Sequence, residues 1–447
     1  MQADNHINRR ELIHSGVVAG AAFTIVPRHV LGGTGYTAPS AKLNIAGIGV
    51  GGMGATDLRN METENIVALC DVDEQYAAKT FNRYPNAKRY SDYRKMLDEQ
   101  KDIDAVMIGT PDHTHAVIAM AAIKAGKHVY CEKPLSNTID ETRRLTTAAH
   151  EANVITQMGN QGRSAEGSRR ICEWIWDGAI GPVREVQAWC SLSYYPWGRA
   201  YWSTTHPRKP SETPPIPDTL DWDLWIGPAA YHDYHPCYHP GRWRAWWEFG
   251  SGMMGDRGCH TLDPVVWALK LGHPTSVQAS VSDFNEDTHP VAAIVRYDFP
   301  SRQEMPPLKL TWYEGLIPPR PDELEDGRRM GHAEGGVLFK GDDGVLMCGV
   351  YGCSPQLIPY SRMREYRQPE QTLRRVSGSH QQEWIQAVKE GRKATSDFSV
   401  SGPLTEIALL GNVAKRMQRK LRWDGDNLEF PDDEEANRCL RRQPRKK

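Results

Sequence analysis

From residue 43 onward the chain alternates short, uninterrupted apolar runs with longer stretches whose apolar residues recur at helical spacing. Residues 43–48, 66–70, 105–109 and 128–131 read as strands buried on both faces. Residues 53–60, 73–82, 92–99 and 114–125 read as the helices between them. Alternation at this spacing predicts an α/β fold, a doubly wound parallel sheet with helices on both faces.

The first strand runs into Gly49-Val50-Gly51-Gly52-Met53-Gly54, and the second ends on Asp71, 17 residues after Gly54. This arrangement suits a dinucleotide. Gly49 permits the tight turn, Gly51 lets the backbone approach a pyrophosphate, and Gly54 lets helix and strand pack closely. Gly52 and Met53 open the helix, whose free N–H groups and positive dipole end favour phosphate. Asp71 accepts hydrogen bonds from ribose hydroxyls and repels a 2′-phosphate, so NAD is expected over NADP. Gly250-Ser251-Gly252-Met253-Met254-Gly255 has the same spelling, but it follows no clear strand and no acidic strand end lies at the right distance. It is not expected to bind a nucleotide.

Two further groups of residues carry candidate chemistry. Thr110, Asp112, His113 and His115 follow the third strand, and Glu132, Lys133 and Pro134 follow the fourth. Ligands of open parallel sheets bind beyond the strand carboxyl ends, so both loops are expected to face the cofactor. Lys133 could hold a substrate hydroxyl and share in its deprotonation, although a single lysine here more often reads as a surface ion pair. Asp256 and His260 stand four apart, which on a helix places them on one face. The pair suits a base that removes a hydroxyl proton, or a His–Asp contact that only fixes a helix. A third ligand is not evident, so no metal is expected there.

Composition narrows the partners. The 447 residues include 25% charged side chains with a net charge of −2, which gives no nucleic-acid surface. The basic end (Arg441, Arg442, Arg445, Lys446, Lys447) reads as a solvated tail. Nine dispersed cysteines form neither a disulfide framework nor a zinc pattern, and most are expected to be small buried apolar residues. Seven of the fourteen tryptophans lie between Trp197 and Trp247, beside Tyr194, Tyr195 and Tyr201. They suit either core packing or a carbohydrate surface.

Residues 1–40 read as an address. Arg9-Arg10 precede a weakly apolar stretch from Gly16 to Val26 that is too short to span a bilayer. This resembles a twin-arginine export signal, which predicts a periplasmic or extracytoplasmic location with no membrane association after export, the alternative being cytoplasmic.

Together these motifs resemble the Gfo/Idh/MocA oxidoreductases. The resemblance runs over about residues 43–416 and rests on the glycine turn, Leu69-Cys70-Asp71-Val72-Asp73, Thr110-Pro111-Asp112, Cys131-Glu132-Lys133-Pro134 and Gly255-Asp256-Arg257-Gly258-Cys259-His260. Residues 220–228, Leu-Asp-Trp-Asp-Leu-Trp-Ile-Gly-Pro, look like an exported, tryptophan-rich branch. The resemblance implies a second, α+β domain on a large, mostly antiparallel sheet, with strands at 183–190, 277–283, 292–299, 309–313 and 336–340 and a helix at 404–416 that returns to the nucleotide domain. The expected division is a signal and linker (1–40), an NAD-binding domain (41–165), a substrate and oligomerisation domain (166–430) and a charged tail (431–447). By resemblance Lys133, Asp256 and His260 are catalytic, and Asp112 to His115, Glu132 and Asn160 contact the cofactor. The peptide before Pro134 is implied to be cis.

The implied activity is hydride transfer between NAD and a sugar, polyol or glycoside hydroxyl, with a tightly held, recycled cofactor and a homo-oligomeric assembly. Two alternatives stay open. One is an NAD-dependent glycoside hydrolase acting by transient oxidation and elimination, and the other a non-catalytic sugar-binding module.

Overall fold

The structure is a computed structural model and describes residues 41–193, 206–283, 285–442 and 445. The expected export segment lies outside the described residues, as do Tyr194, Tyr195, Trp197, Tyr201, Trp202, Lys446 and Lys447. Leu43–Lys447 forms one compact unit that contains two sheets.

The first sheet is six-stranded and parallel, in the order β3-β2-β1-β4-β5-β6. Its strands are β1 (Asn44–Ile48), β2 (Asn65–Cys70), β3 (Lys88–Tyr90), β4 (Ala105–Ile108), β5 (His128–Cys131) and β6 (Thr156–Met158). The intervening helices are α1 (Gly52–Arg59), α2 (Glu74–Arg83), α3 (Tyr93–Glu99), α4 (Asp112–Lys124) and α5 (Ile139–Glu151). Asp73 and Asp92 start α2 and α3 by accepting from main-chain N–H groups of the first turn, the ordinary acidic cap. The strand order reverses between β1 and β4, and a cleft opens there beyond the strand carboxyl ends. β3 and β6 carry no continuous apolar run and were not legible in the sequence.

After α6 (Glu166–Trp176) the chain builds an eight-stranded sheet in the order β13-β12-β11-β7-β10-β9-β8-β14. The strands are β7 (Val183–Cys190), β8 (Ser276–Val281), β9 (Ala293–Phe299), β10 (Leu308–Glu314), β11 (Gly335–Gly341), β12 (Gly344–Gly349), β13 (Gln356–Ile358) and β14 (Leu421–Arg422). Only β7 and β10 pair in parallel. Period-two alternation turns Val295, Tyr297, Phe299, Leu308, Leu310 and Trp312 inward. Between β7 and β8 come α7 (Trp222–Ile226), α8 (Cys259–Thr261) and α9 (Asp263–Ala268).

After α10 (Tyr360–Glu365), two helices join the halves. α11 (His380–Glu390), not expected from the sequence, inserts Trp384 and Ile385 into the core beside Ile45, Leu69 and Met107. α12 (Phe398–Met417) contains the expected 404–416 helix. Its Glu406 takes a two-pronged bond from Arg143 of α5, while Ile407 O accepts from Tyr297 Oη of β9 at 2.8 Å. The chain then forms α13 (Glu434–Arg438), with Ala436 and Leu440 buried. Among the described residues of the basic end, Arg441, Arg442 and Arg445 are held by the fold rather than free in solvent. Arg441 pairs with Asp140 at 3.1 Å, and Arg442 donates to His113 O at 3.1 Å. Seven of the nine cysteines are buried.

Candidate active site

The glycine turn is built by steric exclusion. Gly49 sits at φ +73°, and a Cβ there would lie 2.6 Å from Thr110 N. A Cβ on Gly54 would lie 2.0 Å from Gly49 O, so α1 packs directly on the turn. One on Gly51 would strike the Tyr76 ring at 2.2 Å. Asp71 closes the turn from β2: its Oδ2 accepts from Val50 N at 2.8 Å and Gly51 N at 3.2 Å, and its Oδ1 from Asp73 N at 3.0 Å. Burial pushes the Asp71 carboxyl upward, and these amide bonds oppose the shift.

A cavity of about 770 Å³ opens beside this turn. Gly49, Gly51, Gly52, Met53 and Asp71 line it, together with Thr110, Asp112 and His115 after β4 and Glu132 and Lys133 after β5. Three residues expected at the cofactor do not line it. Gly54 is enclosed in the α1 packing. His113 is buried, with Nε2 2.9 Å from Trp225 O and Nδ1 3.3 Å from Phe249 O, so it anchors the tryptophan-rich segment to α4. Asn160 is buried, its Oδ1 accepting from Ser396 Oγ. His115 spans the carbonyls of Pro134 (2.7 Å) and Thr110 (2.8 Å) and ties the two loops together. The Lys133–Pro134 peptide is cis. The second glycine motif, at Gly250, serves the packing instead. There Ser251 donates N–H (2.9 Å) and Oγ–H to Asp112 at the start of α4.

At the other end lie Lys133, Asp256 and His260. Asp256 is not on a regular helix, because Met254–Gly258 forms one π-helical turn before α8. The carboxylate expected beside the imidazole is engaged by Lys133 Nζ, which also donates to Asp256 O at 2.8 Å. Burial works to raise the Asp256 carboxyl, but Lys133, then Arg244 and Arg257, hold it below the usual carboxylate range. His260 Nδ1 is buried without a hydrogen-bond partner among the described residues, so no orienting bond from Asp256 forms at that atom. Burial, and next the Lys133 charge, hold the imidazole well below its ordinary value, which keeps it in the neutral form. Burial likewise pushes Glu132 up to about 7.

Sequence reasoning missed several neighbours. The His260 ring lies 4.5 Å from that of Tyr351, a residue at φ +66° whose Oη accepts from Arg257 Nη1 at 3.1 Å. Arg244 Nε stands 3.8 Å from Asp256 Oδ2. Tyr351 sits after β12 with no local motif to betray it, whereas Arg257 adjoins Asp256 and was open to notice. The segment from Thr219 to Arg244 forms the roof. Thr219 O accepts from Glu74 N, Val72 O from Asp221 N, and Asp73 Oδ2 lies 2.7 Å from His239 Nε2. Trp222 and Trp225 stack with centroids 4.6 Å apart, and of the five described tryptophans between Trp222 and Trp247 only Trp225 and Trp243 line the cavity. Packing takes most of the aromatic cluster.

The residues present fit a dinucleotide. The turn leaves no room for a Cβ, α1 begins without a side-chain cap, and Thr110 Oγ1 is buried with no partner among the described residues. Gly49, Gly51, Gly52 and Asp71 would hold it, supplying N–H groups to phosphate and a carboxylate to ribose.

Comparison with known proteins agrees. The oxidoreductase family's NAD-binding Rossmann fold matches residues 43–160, and its C-terminal alpha/beta domain matches residues 177–300. Levoglucosan dehydrogenase of Pseudarthrobacter phenanthrenivorans is 34% identical over 115 residues, 26% of this chain and 29% of that protein. Inositol 2-dehydrogenase of Salmonella paratyphi B is 31% identical over 140 residues, 30% of this chain and 41% of that protein. The chain thus spans well under half the length of these curated relatives. Solved structures extend the likeness in fold. A levoglucosan dehydrogenase in complex with NADH superposes with a TM-score of 0.56 at 19% identity, covering 85% of this chain and 98% of that one. The aldose-aldose oxidoreductase of Caulobacter crescentus gives 0.56 at 17% identity, covering 86% and 100%. With both domains matched in order on one chain, the protein belongs to the Gfo/Idh/MocA family of NAD-binding oxidoreductases.

Proposed function

We propose that the protein transfers hydride between NAD and the carbon bearing a hydroxyl of a sugar, polyol or glycoside. The observation that carries this reading is the convergence of Lys133, Asp256 and His260 on one end of the cavity whose other walls carry the glycine turn and Asp71. The names of the relatives, which are dehydrogenases of levoglucosan and inositol, support the substrate class.

NAD held by Gly49, Gly51, Gly52 and Asp71 would supply the hydride acceptor. His260, neutral and buried, takes the hydroxyl proton as charge develops on oxygen. Lys133 donates to that oxygen and stabilises the alkoxide, and Asp256 fixes the ammonium through two bonds. Asp256 is thus a positioning residue for Lys133. The roof from Thr219 to Arg244 excludes water and supports a cofactor that stays bound and is recycled between substrates. That suits the export suggested by Arg9-Arg10, since diffusible NAD is scarce outside the cytoplasm. The sheet face carrying Ile294, Arg296, Thr311 and Tyr313 is half-buried to exposed, which supports a homo-oligomer. Light scattering on the purified protein measures it.

The test is to purify the full chain, release and quantify its nicotinamide, and follow the absorbance of the bound cofactor as sugars and polyols are added. Reduction by one sugar and reoxidation by another supports the reading. Cleavage of an aryl glycoside with no net reduced cofactor selects the hydrolase, and binding without turnover selects the sugar-binding module.

A further inference from the structure

The end of the chain reaches the cofactor cavity. Leu440 O accepts from Asp140 N at 3.1 Å, Arg441 and Arg442 pair with Asp140 and Glu141 at the start of α5, and Arg442 also holds His113 O. Arg445 meets the end of α7, where Nη1 donates to Gly227 O at 3.3 Å and Nη2 pairs with Asp223. Its guanidinium lies 5.8 Å from the Tyr231 ring, its side chain is 25% exposed, and it lines the cavity.

The position in the sheet says which part of a ligand it meets. Asp223 lies close enough to Arg94 for their charges to interact, and Arg94 begins α3 just beyond β3. β3 is the edge strand, next to β2, which is followed at once by Asp71, the residue read as binding the ribose. Gly227, whose carbonyl Arg445 holds, stands against α4, where a Cβ on Gly227 would lie 3.2 Å from Thr114 Cγ2. Arg445 therefore lies over the cleft near the starts of α3 and α4, which with Asp71 line the same cavity, and the adenine of a dinucleotide falls beyond the ribose at that side. A guanidinium is planar, permanently charged and weakly hydrated, which suits it to cover an aromatic base.

We propose that Arg445 is a cofactor-binding residue, its guanidinium covering the adenine of NAD. The inference rests on the reading that the cofactor stays bound through turnover and supplies a device for it: NAD leaves only after the Arg445 contacts to Asp223 and Gly227 break.

The experiment compares wild type and Arg445→Ala by calorimetry with NAD, ADP-ribose and nicotinamide mononucleotide, and measures the release rate of bound NAD. Arg445→Ala weakens NAD and ADP-ribose by about tenfold, speeds NAD release to match, and leaves nicotinamide mononucleotide and the melting temperature of the free protein unchanged. Unchanged affinity for NAD and ADP-ribose overturns the proposal. So does equal weakening of all three ligands with a lowered melting temperature, which marks a purely structural role. If wild type exchanges its NAD freely, cofactor recycling fails as a reading, while the ratio between variant and wild type still decides the role of Arg445.

Discussion

Lys133 Nζ donates to the main-chain carbonyl of Asp256 at 2.8 Å and to its carboxylate as well, tying the loop after β5 to the π-helical turn that leads to His260. The two halves of the unit meet at this bond, and the side chains are 12% and 19% exposed. Removing the cation leaves a largely buried carboxylate short of its main partner. Lys133→Met lowers stability by about 1–3 kcal/mol and kcat/KM by roughly 10²–10⁴-fold. The double variant with Asp256→Asn regains most of the stability and none of the activity. Thermal melts beside turnover measurements check both.

The glycines separate by what their Cβ would strike. At Gly54 the obstacle is backbone, Gly49 O at 2.0 Å, so Gly54→Ala forces α1 off the turn. It costs about 1–3 kcal/mol of stability together with NAD binding. At Gly51 the obstacle is the ring of Tyr76, which is 37% exposed and able to swing away. Gly51→Ala therefore costs under about 1 kcal/mol but still fills the phosphate cradle. Melting curves and NAD titration of the two variants distinguish them.

Burial gives Glu132 a pH signature. Its carboxyl titrates at about 7 in the folded protein against 4.5 ordinarily. Between those values the folded state binds more protons than the unfolded one, so this group makes stability fall as pH rises. The loss is complete above the folded value. Glu132→Gln, which keeps the bond from Gln161 Nε2, flattens the dependence of melting temperature on pH between 5 and 8 relative to wild type.

His260 carries the opposite shift. A base must be deprotonated, and an imidazole held well below 6.5 stays so in mild acid. The acid limb of kcat/KM therefore lies below the ordinary histidine value. Lys133→Met removes the second cause of the depression and moves that limb to higher pH in whatever activity remains. A pH–rate profile of both proteins measures the displacement.

Much of the nucleotide half could be read directly from sequence, because β1, β2, β4 and β5 are internal strands of a parallel sheet and must be apolar on both faces. The edge strands escaped: β3 is Lys-Arg-Tyr and β6 Thr-Gln-Met, neither carrying the signal that central burial imposes. Asp256 was found by its spacing to His260, yet its partner Lys133 is 123 residues away and set by topology. Tyr351 and Arg445 reach the cavity only through tertiary structure. His113 and Asn160 lay near motifs that face the cavity but are turned into the packing around it. The tryptophans looked equally like core and sugar platform because a flat apolar ring serves both, and three of the five described between Trp222 and Trp247 pack away from the cavity.

The most direct measurement of the central claim follows the reacting hydrogen. The protein is loaded with NAD, given a sugar deuterated at the oxidised carbon, and its cofactor is released and weighed by mass spectrometry. The account predicts one deuterium on the nicotinamide ring, and labelling slowed at least about a hundredfold with His260→Ala or Lys133→Met. A reacting sugar whose deuterium appears in solvent, with none on the nicotinamide, would contradict it.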